Sequence, residues 1–260
     1  MAEQRGQAGT TIIELLVVVS IIAVLVAVLV PAMGYARTQS KRTECLAQLK
    51  SLGLTVALYS DMHRGAAPSV PVYGSPKSVS DAVARLNFPN SPAHIQSSYI
   101  TQSSMFTWIV AVATDNDLDR ETCPSMPSAN DFGGVEWFRF NGRDIRVSSY
   151  VMSRAFIADP AIFDSAAIAR LDHLRARRMS QVAYPSAKVV AFETRLYHEP
   201  AWRREGADWG SQLLPVVFAD GHGLLDGTER YSGGAMAANT GVTPSMLFDT
   251  PGGVSGRDLK

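Results

Sequence analysis

The sequence predicts an α+β protein in which one long N-terminal helix, membrane-spanning at first and amphipathic afterwards, packs on a loop-rich antiparallel β head. Three observations predict it. Leu15 to Met33 is an apolar run broken only by Ser20 and Pro31. From Arg37 to Tyr59, apolar residues then recur at three- and four-residue steps. Beyond Gly65 the chain changes to short strand-like runs separated by glycine, proline and serine.

The apolar run is long enough to cross a hydrocarbon core of about 30 Å at about 1.5 Å per residue. A cleavable secretory signal is the rival reading, but its apolar core would be shorter, and "PAMGYA" is a mediocre cleavage site. Past the run, Cys45, Leu46, Leu49, Leu52, Val56 and Tyr59 form one stripe, with Lys41, Arg42, Gln48 and Lys50 between them. Gly65 and Pro68 supply the stop signals. Thr11 to Arg64 would thus be a nearly continuous helix, roughly 80 Å long at 1.5 Å per residue. Pro31 removes one backbone donor and is the expected kink.

In the head, residues 66–104 are rich in proline and serine, with one short helical candidate at Val79–Leu86. Phe106–Ala113 is apolar but too short for a second span. Val135–Phe140 and Ile145–Met152 read as strands around the Asn141-Gly142 turn signal. Asp159 and Pro160 announce a helix as cap and first residue. Lys188–Glu193 reads as a strand, and "LLPVVFADGHGLLD" as a hairpin turning at Asp220-Gly221. From Ser232 the chain is Gly-rich and weakly patterned, which predicts a loop or partly disordered tail.

Composition narrows the function. The chain has 260 residues, enough for one sizeable domain beyond a membrane segment. Its 24 basic and 24 acidic residues balance, so nothing attracts nucleic acid and none is expected as a partner. Two cysteines, Cys45 and Cys123, are too few for a disulfide scaffold and lack metal-site spacing. Outside the cytoplasm they could pair. Two separate buried thiols is the other reading, and spacing alone does not decide between them.

The N-terminus has a further pattern. A short hydrophilic leader ends in Gly9, an apolar helix follows, Glu14 is the fifth residue after that glycine, and Pro31 lies near the far end of the run. This resembles the prepilin-type N-terminus of type IV pilins and type II secretion pseudopilins. "CLAQLKSLGLTVALYSDMHRG", "CPS" at Cys123–Ser125, "YPSAKVVAFE" and "VVFADGH" look like phrases of large bacterial pseudopilin-like proteins. The resemblance implies a pilin-like fold, cleavage between Gly9 and Thr10 by a prepilin peptidase, and N-methylation of the new amine. It implies five segments: a leader at 1–9, the transmembrane and assembly half of the helix at 10–34, its amphipathic half at 35–64, an α+β head at 65–231, and a tail at 232–260. Thr10 stands where the family usually has Phe or Met.

The function implied is that of a structural subunit of a type II secretion or type IV pilus-type filament. It would be anchored by a single pass in the inner membrane with a periplasmic head, and later sit in a pseudopilus or at the cell surface. Its partners would be the prepilin peptidase, other pilin or pseudopilin subunits and an inner-membrane assembly platform. Arg37, Lys41 and Arg42 follow the span and, counted alone, would hold the head in the cytoplasm. The leader and glutamate pattern outweigh that count.

A carboxylate in hydrocarbon is costly, so Glu14 needs a purpose. Cleavage would free an amine at Thr10, and a neighbour's amine brought to Glu14 would set subunit register. The alternative is a side chain that snorkels to the interface.

Other candidates carry less. Asp115–Glu121 alternates acids as a calcium loop does, and some pseudopilins bind calcium, but the EF-hand pattern fails at Arg120 and Met126. No cofactor is expected beyond that weak calcium possibility. Asp220 and His222 flank a glycine that a tight turn requires. His63, His94, His173 and His198 lack zinc-site spacing, and no hydrolase, phosphate-binding or dinucleotide motif occurs. Trp202 and Trp209, with Arg203 and Arg204, are read as core aromatics with solvated arginines rather than a binding surface. No catalytic residue is assigned. A membrane-tethered enzyme and a surface adhesin or ligand-binding module on a pilin-type anchor are the competing functions.

Overall fold

A computed structural model describes residues 11–69, 123–126, 137–140, 143–146, 148–166, 173, 175–193, 197, 213–235, 246–247 and 249–260. Its elements are one long helix, α1 (Ile12–Met62), and strands β1 (Trp137–Phe140), β2 (Arg143–Arg146), β3 (Tyr150–Met152), β4 (Val189–Glu193), β5 (Leu213–Phe218) and β6 (Gly223–Gly227). The architecture is α+β. The chain divides into two compact units, Met1–Lys41 and Arg42–Lys260. That division falls inside α1.

In the first unit, residues 11–37 are exposed around the whole circumference of the helix. Helical structure continues through Pro31 without a break. Its missing donor leaves one carbonyl a turn earlier without its usual partner. Ser20 removes its own polar cost by donating to the Leu16 carbonyl at 2.7 Å.

In the second unit, the remainder of α1 buries Cys45, Leu49, Leu52, Thr55, Val56, Tyr59 and Ser60, which is the stripe read from the sequence with Leu46 only half-buried and with Thr55 and Ser60 added. Leu49, Leu52 and Val56 each contribute roughly 1.5–3 kcal/mol of apolar burial. The helix comes unusually close to the sheet at Gly53, where a Cβ would lie 2.8 Å from Val217 Cγ2. Tyr150 ties helix to sheet, its hydroxyl lying 3.1 Å from the Cys45 carbonyl oxygen and 3.2 Å from Gln48 Oε1.

The main sheet has the order β3-β4-β5-β6, antiparallel throughout. Both faces are covered, which is why its strands read as apolar runs and not as alternating patterns. One face presents Tyr150, Met152, Val190, Ala191 and Val217 to the cluster containing the α1 stripe. The other presents Val151, Val189, Phe192, Leu214, Val216 and Phe218 to Tyr231 and Leu247. A register shift between Val189 and Ala191 lets consecutive residues Val190 and Ala191 share one cluster.

Two expectations are corrected and a third is refined. Ile145–Met152 is not one strand: β2 pairs with β1 in a separate two-stranded ribbon, while β3 joins the main sheet. Ser148 and Ser149 lie between them, and their hydroxyls accept from the Tyr150 and Cys123 backbone N–H groups at 3.0 and 2.6 Å. Those bonds offer the backbone an alternative to the ladder.

Among the described residues, the helix expected after Asp159 is a short 3-10 turn, Pro160–Phe163, followed by extended backbone at Asp164. Asp159 does cap it, accepting from Ala161 N–H, but its carboxylate is also held by Arg175 at 2.8 Å and Arg177 at 3.2 Å.

The C-terminal segment, expected as a loop or partly disordered tail, is irregular, and several of its described residues are buried against the head. Val254 is fully buried, and Asp258 and Leu259 donate to the Ala187 carbonyl at 2.9 and 3.1 Å. The Ser232 N–H donates to the Asp258 carbonyl at 2.7 Å.

Candidate functional site

The first turn of α1 carries the most specific arrangement in the first unit. Thr11 precedes the first helical residue, and its N–H donates to Glu14 Oε2 at 2.9 Å. In return the Glu14 N–H donates to Thr11 Oγ1 at 3.3 Å. This is a capping box, in which two backbone donors that the helix cannot satisfy are satisfied reciprocally. The carboxylate also lies at the positive end of the helix dipole. Glu14 therefore has an intrachain role that neither the register nor the snorkelling reading contained. The signal was present as Thr11-Ile-Ile-Glu14, the spacing that capping boxes require. Beyond it runs an apolar helix long enough to span a membrane.

In the second unit, Cys45 and Cys123 are joined by a disulfide across a sequence separation of 78 residues. Glu193, at the end of β4, is fully buried, and one of its carboxylate oxygens lies with both sulfurs inside a 4.8 Å cluster. Burial pushes the Glu193 carboxyl well above the ordinary carboxylate range. Cys, Cys and Glu are zinc-type ligands only when the sulfurs are thiolates, and here they are spent on each other.

A second buried polar cluster lies where the C-terminal segment meets the start of β4. Lys188 Nζ sits 3.4 Å from Asp258 Oδ2 and donates to Thr250 Oγ1 at 2.5 Å. The Thr250 hydroxyl in turn donates to Asp258 Oδ1. The Val189 N–H donates to Asp258 Oδ2 at 2.8 Å. Loss of water contact pulls the Lys188 amine down to about 8 and raises the Asp258 carboxyl, although each charge favours the other. Neither acid nor amine was singled out from the sequence, because one lies at a strand entrance and the other in a segment without periodicity.

No family model, curated protein or solved structure matches the chain.

The structure settles the form of the Asp220–His222 turn. Asp220 Oδ1 accepts from the His222 backbone N–H at 3.1 Å and lies 2.5 Å from its Nδ1, while Gly221 takes φ +87°. The imidazole stacks on Phe218 with centroids 4.3 Å apart. His63 likewise stacks on Tyr59 and contacts its carbonyl oxygen at 2.8 Å. Gly9 and Thr10, Val79–Leu86, Phe106–Ala113, the acidic run Asp115–Glu121, His94, His198, and Trp202 to Arg204 with Trp209 lie outside the described residues.

Proposed function

We propose that this chain is a structural subunit of a pilus-type or type II secretion-type filament, a pseudopilin or minor-pilin-like protein. The observation that carries the reading is an apolar helix exposed on every side from Ile12 to Val30 whose one charged residue, Glu14, lies in its first turn. A helix that is apolar all round needs either lipid or other helices about it. The subunit would use both in succession, a bilayer while stored and neighbouring subunits once assembled. Gly9 would mark the cleavage point, and the amine freed at Thr10 would meet a neighbour's Glu14.

In this reading the capping box holds Glu14 within its own chain until assembly. Exchange of the Thr11 N–H for a neighbour's amine would then replace a neutral donor with a charged one, and charge-assisted hydrogen bonds are roughly twice as strong. The disulfide and the sheet covered on both faces suit a head exposed to an oxidising compartment.

Mass spectrometry of the protein from its native membranes tests the reading. A mature N-terminus at Thr10, with residues 35–260 open to protease from the periplasmic side, is the expected result. A chain beginning at Met1 or Ala2 with a protected head would reject it.

A further inference from the structure

Lys188 and Asp258 face one another where water does not reach, with side chains 0% and 2% exposed. We propose that they condense into an intramolecular isopeptide bond, tying the C-terminal segment covalently to the entrance of β4. Three features of the geometry support the reaction.

The nucleophile and the carboxyl are already in place. Nζ lies 3.4 Å from Oδ2, an oxygen bonded to the Cγ that it would attack, so the two groups are already held in contact. Both partners hang from segments whose backbones are pinned: Asp258 and Leu259 donate to the Ala187 carbonyl, and Ser232 donates to that of Asp258. Little entropy remains to be lost.

The protonation states suit amide formation. A lysine attacks only as the neutral amine, and desolvation activates it. Burial draws the amine down to about 8 and raises the acid, so the amine–carboxylic acid form comes within reach of the ion pair.

The hydrogen bonds are arranged as a relay. The chain runs from Nζ to Thr250 Oγ1 and on to Asp258 Oδ1, while Oδ2 receives the Val189 N–H. In the reaction, Nζ attacks Cγ of the protonated carboxyl and the Val189 N–H stabilises the negative charge gathering on Oδ2. The Thr250 hydroxyl accepts a proton from Nζ and passes its own to Oδ1. The Cγ–Oδ1 bond breaks, the Nζ–Cγ bond forms, and Oδ1 leaves as water carrying the acid proton and the relayed one. No oxidant or second reactant is needed. Thr250 is a positioning and proton-relay residue with no part in the product.

The test uses the full-length chain extracted from membranes in detergent, with disulfides reduced. Its intact mass should be one water below the sequence mass after correction for the mature N-terminus. Asp220-Gly221 and Asp226-Gly227 can also lose water by cyclising, so the peptide map decides. A branched peptide joining Lys188 to Asp258, uncleaved by trypsin after Lys188, is the expected product. Lys188→Arg and Asp258→Ala should each restore the missing water. Should either variant fail to fold, the wild-type map still decides. Linear peptides with unmodified Lys188 and Asp258 would overturn the proposal, whether or not the intact mass is low, and leave an ordinary buried ion pair.

Discussion

Thr11 and Glu14 close the N-terminus of α1 on each other, each backbone N–H donating to the other's side chain, at 2.9 and 3.3 Å. The most expensive residue in the apolar run is thus also the residue that starts the helix. The two roles of Glu14, capping its own chain and pairing with a neighbour, respond differently to substitution.

Glu14→Gln keeps an oxygen for the Thr11 N–H, since glutamine serves the same capping position. First-turn amides should therefore stay protected from hydrogen exchange in micelles, whereas Glu14→Ala and Thr11→Val should expose them. Loss of the Thr11 cap is worth about 1 kcal/mol. Crosslinking of single cysteines along α1 reads the other role. Glu14→Gln should lower assembly yield with the cap intact, and wild-type yields would leave Glu14 as a cap alone.

The Cys45–Cys123 bond closes a loop of 78 residues between helix and head. Native disulfides of this kind stabilise by about 2–5 kcal/mol. The double variant Cys45→Ala/Cys123→Ala should unfold at a clearly lower denaturant midpoint. Non-reducing peptide maps of the native protein should show the two peptides joined. Two freely alkylated thiols in denaturant without reductant would contradict the pairing.

Gly53 lets α1 approach β5, with a hypothetical Cβ 2.8 Å from Val217 Cγ2. Alanine would gain about 1 kcal/mol of helix propensity. Overpacking against a stiff β-branched side chain in a full core costs about 1–3 kcal/mol, which outweighs it. Gly53→Ala should therefore destabilise the head, and adding Val217→Ala should recover part of the loss. Chemical denaturation of the four proteins of this double-mutant cycle measures the coupling. Additive effects would show that the contact is not tight.

The buried Glu193 carboxyl titrates above its unfolded value, so the folded state holds its proton more tightly than the unfolded chain. Its stabilising contribution is complete below the unfolded pKa and is lost as pH rises through the folded one. The cost is about 1.4 kcal/mol for each unit between the two. Glu193→Gln should raise the Tm at neutral pH, and the gain should shrink toward pH 4.5, the ordinary glutamate value. A gain independent of pH would show that ionisation is not the cause.

Local patterns were legible in the sequence. The apolar run, the stripe from Cys45 to Tyr59 and the Asp220-Gly221 hairpin are each written in residues a few positions apart, where helical period and turn chemistry act. The capping box was equally local and visible as Thr-x-x-Glu. What tertiary structure alone decided are meetings between distant segments: Cys45 with Cys123, Glu193 beside both sulfurs, Gly53 against Val217, and Lys188 with Asp258. The same contacts gave the weakly patterned C-terminus a fixed place, because Ala187 accepts its backbone donors and the sheet's second face needed a cover. Period and turn preference act over a few residues, whereas a buried charge or a close approach exists only once the fold has brought its partner.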